Sequence, residues 1–247
     1  MAENNRSFPL SPSELSQLLP AHFDDGRVVA AVYSMPLECA REAVTPPQLH
    51  PVTLPGRRAL AVFCTFEYPQ SSLGPYLEFA VGIVVCSKPQ PGPFSVLDLF
   101  SARPDTGAWM LSMPVTSETA WHYGVELFGF PKAVASIDVE RSSSACTTTV
   151  ADGSSMLLRT RVPLGRGLKM PVPWLVTYTQ RAGEVLRTRI KTKWWVTMSS
   201  GGGTSLEIAD CDHPMTEKLR SLKFSKTPIF VLHGARFRAI LEAGERI

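Results

Sequence analysis

Short apolar runs alternate with polar, turn-rich breaks along the chain, and most runs are too short and too β-branched to be helices. Residues 27–34 read as a valine-rich strand. Residues 58–67 and 76–87 read as buried strands with β-branched and aromatic content. Tyr68-Pro69-Gln70-Ser71-Ser72-Leu73-Gly74, between the last two, is turn chemistry. Lys88-Pro89-Gln90-Pro91-Gly92-Pro93 reads as a rigid loop, since comparable strands resume beyond it. Strands are expected over 133–140, 145–151 and 156–162, with Asp152-Gly153 as a hairpin signal. The pattern repeats over 183–197 and 205–210, around the turn Ser199-Ser200-Gly201-Gly202-Gly203, and a last strand is expected over 227–234.

Helical signals are fewer. Ser11-Pro12-Ser13-Glu14 opens a short helix with Leu15, Leu18 and Leu19 on one face, and Pro20 ends it. Residues 36–44 read as a helix stopped by Thr45-Pro46-Pro47. Residues 117–123 read as another, with Thr116 or Ser117 as N-cap and Glu118 in the first turn. Residues 214–222 suggest a short one. Many strands, few helices and frequent turns predict an α+β, β-rich fold. The expectation is one domain over 1–247, a closed or conical β-barrel with peripheral helices, preceded by a helical extension over 1–25. No internal repeat or domain boundary is visible.

Composition narrows the function classes. The chain has 247 residues, 44% hydrophobic and 19% charged, enough for one sizeable core. A net charge of +3 suggests no polyanionic partner, hence no nucleic acid. Arg187, Arg189, Lys191 and Lys193 alternate, which fits the solvent face of one strand better than an RNA-binding face. Cys39, Cys64, Cys86, Cys146 and Cys211 are odd in number and widely spaced, which suits a reducing compartment. The first residues lack a basic and apolar leader pattern, and no apolar run approaches the ~20 residues of a membrane span. The expectation is a cytoplasmic soluble protein without a membrane partner.

Familiar site motifs are missing or incomplete. Ser200–Gly203 lacks the Lys-Ser/Thr ending of a phosphate loop, and Gly165-Arg166-Gly167 lacks the third glycine of a dinucleotide fingerprint. The five histidines show no i,i+4 pairing, and Asp210-Cys211-Asp212-His213 is an isolated cluster, so no metal is expected.

One segment does carry chemistry. In Gly129-Phe130-Pro131-Lys132-Ala133 a lysine follows an aromatic-proline pair inside an apolar stretch. Desolvation disfavours the ammonium, and a neutral amine attacks ketones to form a Schiff base. The alternative is a surface lysine after a turn proline. Glu78 stands in the otherwise buried run Phe79-Ala80-Val81-Gly82-Ile83, where a carboxylate must be paired, hydrogen-bonded or protonated. It is therefore either an ion-pair partner of a neighbouring arginine or a general acid/base facing the lysine. His122, ten residues before Lys132, is a further candidate for the cavity, against the plainer reading of a half-exposed helix residue.

Gly124-Val125-Glu126-Leu127-Phe128-Gly129-Phe130-Pro131-Lys132 resembles the active-site segment of the acetoacetate decarboxylase superfamily, and Tyr76-Leu77-Glu78 resembles its Tyr-x-Glu. Acetoacetate decarboxylase is itself a well-known example of a nucleophilic lysine activated by a lowered pKa, so that activation is what the resemblance implies. Residues 28–49 and 204–244 resemble its opening and closing elements, so the likeness covers nearly the whole chain. It implies a barrel core with peripheral helices, a homo-oligomer, and Lys132 and Glu78 as catalytic residues. It also implies a substrate pocket drawing on Phe130, Tyr76, Phe63, Glu126, Arg27, Met113 and His122, with Phe63 and Arg27 near positions of a family glutamate and arginine. Glu126 is expected to orient the lysine loop through hydrogen bonds.

The departures are informative too. Ala133 stands where decarboxylases carry a second lysine, and Val125 where they carry arginine. With no adjacent ammonium, burial against Phe130 and neighbouring aromatics is left to tune Lys132. The expected activity is a Schiff-base-forming lyase that decarboxylates a β-keto acid. An imine-dependent aldol, dehydration or cyclisation reaction on a larger apolar keto compound is the alternative, and a silent ligand-binding barrel with an exposed or salt-bridged Lys132 is a third. A small polar pocket favours the first and a long apolar one the second. No cofactor is required, because the lysine supplies the electron sink.

Overall fold

Valine-rich runs without clean alternation belong to strands buried on both faces, and the computed structural model, which describes residues 12–89 and 91–247, bears this out. Among the described residues seven strands close a barrel: β1 Ala21–Pro36, β2 Arg58–Tyr68, β3 Tyr76–Cys86, β4 Gly107–Val115, β5 Trp174–Arg181, β6 Glu184–Lys193 and β7 Phe230–Leu241. Neighbours run antiparallel except the parallel pair β4 and β5, and β6 pairs with β7 to complete the ring. Closure leaves these strands no open edge.

A second sheet of Ser136–Arg141, Ala145–Asp152, Ser155–Pro163 and Ser205–Ile208 covers part of the barrel's outside. The Asp152-Gly153 turn joins its two middle strands. Tyr33, Phe63, Phe79 and Ile83 on the outer barrel face share one core with Ile137, Val150 and Leu158 of this sheet. Val28, Ala30, Phe66 and Ala80, the alternate positions, face inward with Phe237 and Phe130. Helix α1 (Pro12–Ser16) buries Leu15 in that inner core, and α2 (Leu37–Ala43) packs on the outer one. Helices α3 (Glu118–Phe128) and α4 (Pro214–Ser221) complete the periphery.

Several boundaries differ from the sequence reading. β1 begins at Ala21, inside the segment expected to be a helical extension; irregularities around Gly26 bend it without ending it. Residues 1–11 of that expected extension lie outside the described residues, as does Gln90 of the expected rigid loop. Trp174–Arg181 and the short strand Leu168–Pro171 went unread, because Pro171 and Pro173 mask them. The run expected over 183–197 is two strands parted at Trp194. β7 continues past Gly234, with Phe237, Ala239 and Leu241 buried and Arg236 and Arg238 exposed. The basic stripe is only partly a solvent face. Arg187 and Arg189 are half-buried and bind Glu245, and Arg187 also binds Asp105, tying the barrel seam. No helix among the described residues is long and apolar enough to cross a membrane.

Candidate active site

Helix α3 delivers the lysine. Ser117 caps its start by accepting a hydrogen bond from the Ala120 N–H at 3.2 Å, and Gly129 ends it in the left-handed region at φ 63°. A side chain at Gly129 would also meet the Gln180 carbonyl at 2.5 Å, so glycine is required twice over. The Phe130 N–H donates back to the Gly124 carbonyl at 3.1 Å, and Thr179 Oγ1 donates to the Phe128 carbonyl at 2.5 Å. The chain then turns into a short strand, Lys132–Val134, that pairs in parallel with β4 and sets Lys132 opposite Met113. The lysine stem lies against α3 where Gly124 has no side chain. A Cβ there would stand 2.7 Å from both Cδ and Cε of Lys132.

Glu78 arrives from β3, on the other side of β4, where it pairs with Val115. Lys132 Nζ donates to Glu78 Oε2 at 2.7 Å, and the two side chains are 5% and 7% exposed. The amine lies 5.6 Å from the Tyr76 ring centre and 5.7 Å from that of Phe130. Burial, with the charge of Glu78 adding to it, holds the Tyr68 and Tyr76 phenols and the Cys64 thiol well above their ordinary ranges. These three groups therefore stay neutral around the ion pair.

The pair sits in the barrel interior, in a cavity of about 500 Å³. Its lining is mainly apolar, with Thr106 and Thr177 as aliphatic hydroxyl residues, and among the described lining residues Lys132 and Glu78 are the only charged ones. Burying two charges in such surroundings carries a desolvation cost that offsets much of their attraction, so the pair is weak evidence of a stabilising role. At 2.7 Å one proton transfer to Glu78 would leave a neutral amine beside a carboxylic acid.

Tyr76, Met113 and Phe130 line this cavity with Lys132 and Glu78. The other expected pocket residues do not. Phe63 is buried on the outer barrel face against Tyr33 and Phe224, because neighbouring positions of a strand point opposite ways and Cys64 takes the inward one. Arg27 is displaced for the same reason. It lies in a separate polar recess with Asp25 and Glu67, behind Tyr68 and Tyr76, and forms an ion pair with Glu67 at 3.8 Å. His122 stacks on Trp121 outside the cavity lining. Glu126 is half-buried on α3 and likewise absent from the lining; backbone bonds and Thr179 hold the lysine loop in its place. Asp210–His213 caps α4, where His213 Nδ1 accepts from the Met215 N–H at 3.1 Å. Tyr68 and Gly124 were missed. Tyr68 was legible as the cross-strand partner of Tyr76, and Gly124 only once the lysine's path was known.

A family model described as acetoacetate decarboxylase (ADC) matches residues 7–178. No curated protein matches the chain. Among solved structures, an acetoacetate decarboxylase superposes with a TM-score of 0.73 at 20% identity, covering 99% of this chain and 95% of its own. The acetoacetate decarboxylase of Legionella pneumophila gives 0.68 at 16%, covering 92% and 87%. The enduracididine biosynthesis enzyme MppR, complexed with the condensation product of pyruvate and imidazole 4-carboxaldehyde, gives 0.66 at 17%, covering 100% and 97%. At such identities the structural likeness speaks for the fold, the same β-rich closed barrel, while the family match over most of the sequence settles membership. The chain belongs to the acetoacetate decarboxylase family.

Proposed function

We propose that this protein is a Schiff-base-forming enzyme that acts on an apolar keto compound, with Lys132 as nucleophile and Glu78 as general acid/base. The observation that carries this is the place of the Lys132–Glu78 pair, inside an apolar cavity without another charged lining residue among those described; the salt bridge by itself would also suit a silent barrel. Glu78 takes a proton from the amine, and the amine nitrogen attacks the ketone carbon. Glu78 returns a proton as water leaves, which gives the protonated imine. The iminium then withdraws electrons from its neighbouring carbon. Glu78, again a carboxylate, removes a proton there, and the resulting enamine carbon attacks a second carbonyl, within the same molecule or in another. The new C–C bond uses the enamine electron pair, the attacked carbonyl opens onto its oxygen and takes the proton back from Glu78, and hydrolysis of the imine frees Lys132.

The cavity's size and apolar lining favour this aldol, dehydration or cyclisation course, and the MppR complex with a condensation product shows the fold accommodating such a product in a relative. The family's name favours a second course. A β-keto acid bound as the imine would lose CO2, leave its electron pair in the enamine, and take at carbon a proton that Glu78 relays from water. Against it stands the lack of a second cation among the described lining residues to hold the carboxylate. The test is incubation with a keto compound and borohydride, followed by mass analysis, and then assay of carbon dioxide release from a labelled β-keto acid. Ligand mass fixed at Lys132 without carbon dioxide supports the first course, and with carbon dioxide the second. A barrel that merely binds apolar ligands keeps its ion pair closed and shows no fixed mass, which would defeat the proposal.

A further inference from the structure

The cavity has a direction. On three neighbouring strands its lining runs six residues away from the lysine: from Glu78 to Val84 on β3, from Phe66 to Leu60 on β2, and from Met113 to Gly107 on β4. At about 3.3 Å per residue these runs are roughly 20 Å along the tilted strands and about 15 Å along the bore, room for an extended chain of about a dozen carbons. Small residues keep it open along its length, with Ala30 and Ala80 two residues beyond the Phe66–Glu78 level and Ala108 level with Val84, all on the lining. At Gly82 a Cβ would come within 3.0 Å of Ala108 Cβ and of the Trp109 carbonyl oxygen.

The two ends differ in access. At the lysine end Phe66, Tyr76, Phe130 and Phe237 are each less than 10% exposed, and Leu15 of α1 packs into the same core. At the other end the 3₁₀ segment Pro93–Phe100 lies across the opening. Val96 packs there with Val32, Leu60 and Val84, while Leu97, also on the lining, is 59% exposed, and Phe94 beside it 80%. Thr106 Oγ1 donates to the Ser95 carbonyl at 2.6 Å, and the Thr106 N–H donates to Asp98 at 2.8 Å, so this apolar rim is held over the bore. The amine is therefore at the closed end and the mouth is at the 3₁₀ segment.

We infer that the substrate is a linear molecule with its ketone at or next to one end and a hydrocarbon tail of about a dozen carbons, entering ketone first and leaving the tail along the Ala80–Val84 side of the bore to emerge under Val96 and Leu97. This rests on the Schiff-base reading for the ketone, but the tail site stands on geometry alone. Internal ketones are disfavoured, because the second alkyl arm would press into the closed end.

Two probe series on the full chain separate the two claims. Linear methyl ketones from butanone upward, trapped with borohydride, report on Lys132 and the tail together. The corresponding secondary alcohols cannot form an imine, and their binding, read by the shift in fluorescence of Trp174 and Trp194 in the lining as the cavity fills, reports on the tail alone. Affinity should rise about fourfold per methylene in both series, the factor equivalent to about 0.8 kcal/mol for each buried methylene, and level off once the tail reaches the mouth. Leu60→Trp and, separately, Val84→Phe should move that levelling to shorter chains, measured as the ratio of long to short probe within each variant. Alcohol binding that ignores chain length, or a levelling point unmoved in both variants, overturns the tail site. Length-dependent alcohol binding with no trapped ketone leaves the tail site standing and defeats the Schiff-base reading.

Discussion

Lys132 and Glu78 stand 54 residues apart in the chain and 2.7 Å apart in the barrel. β4 lies between their strands and pairs with both, so its register aligns the amine with the carboxylate. Any shift of β4 by one residue would turn Met113 out of the cavity and break the alignment.

The two residues should separate cleanly in function. Lys132→Met should abolish borohydride trapping altogether. Glu78→Gln keeps the shape and removes the titrating proton, so trapping should persist while turnover falls by about 10²–10⁴-fold. Trapping retained in Lys132→Met, or turnover unchanged in Glu78→Gln, would remove the residue concerned from the mechanism.

The same pair should be a burden on stability. Removing the lysine alone leaves a carboxylate in an apolar cavity, so Lys132→Met should lower the unfolding free energy by about 3–5 kcal/mol. Lys132→Met combined with Glu78→Leu should restore it, or exceed the parent by about 1–4 kcal/mol. Urea unfolding of the parent, both single variants and the double variant measures the coupling. A double variant less stable than either single one would mean the pair is structural.

Acid should loosen the barrel seam. Burial pushes the Asp105 carboxyl up, but hydrogen bonds from Ser87 and Tyr178 and the charge of Arg187 outweigh it and hold it below its ordinary 3.8. A carboxyl lowered by folding contributes stability that is complete above its unfolded value. That stability is lost as pH falls from 3.8 through the lower folded value. The urea midpoint of the parent should therefore drop across that window. Asp105→Asn should be less stable near neutrality and show a shallower acid drop. Parallel acid profiles for the two proteins would count against the seam.

How much of this was legible beforehand follows from the physics of the strands. Lys132, Glu78, Tyr76 and Phe130 were recoverable because their motifs are local, whereas Met113 came only with the family resemblance, since its strand, Gly107–Val115, went unread. Phe63 and Arg27 were misplaced because β1 and β2 are apolar on both faces, so alternation could not say which face was the inside. The same lack of alternation made the second sheet's cover over Tyr33 and Phe63 invisible. His122 was suggested by proximity in sequence, but a helix turns away from the cavity what a strand ten residues later points into it.

Gly124 offers the sharpest test of positioning. Its Cβ would lie 2.7 Å from the Lys132 Cδ and Cε atoms and 3.3 Å from Nζ, so Gly124→Ala forces the lysine stem off α3 and the amine away from Glu78. The site lies within the helix, where alanine is favoured over glycine by about 1 kcal/mol, so the fold should survive. A displacement of the reacting atom by about 1 Å costs on the order of 10²-fold in rate. The trapping rate should fall by that order while the maximum labelled fraction is still reached, since the amine remains present. Gly124→Ala trapped as fast as the parent would mean that the lysine stem has freedom the cavity walls do not suggest. An unfolded variant would be recognised by its lost near-ultraviolet signal, and Gly124→Ser, with a hydroxyl added to the same Cβ, would then tell a steric effect on the lysine from collapse of the helix end.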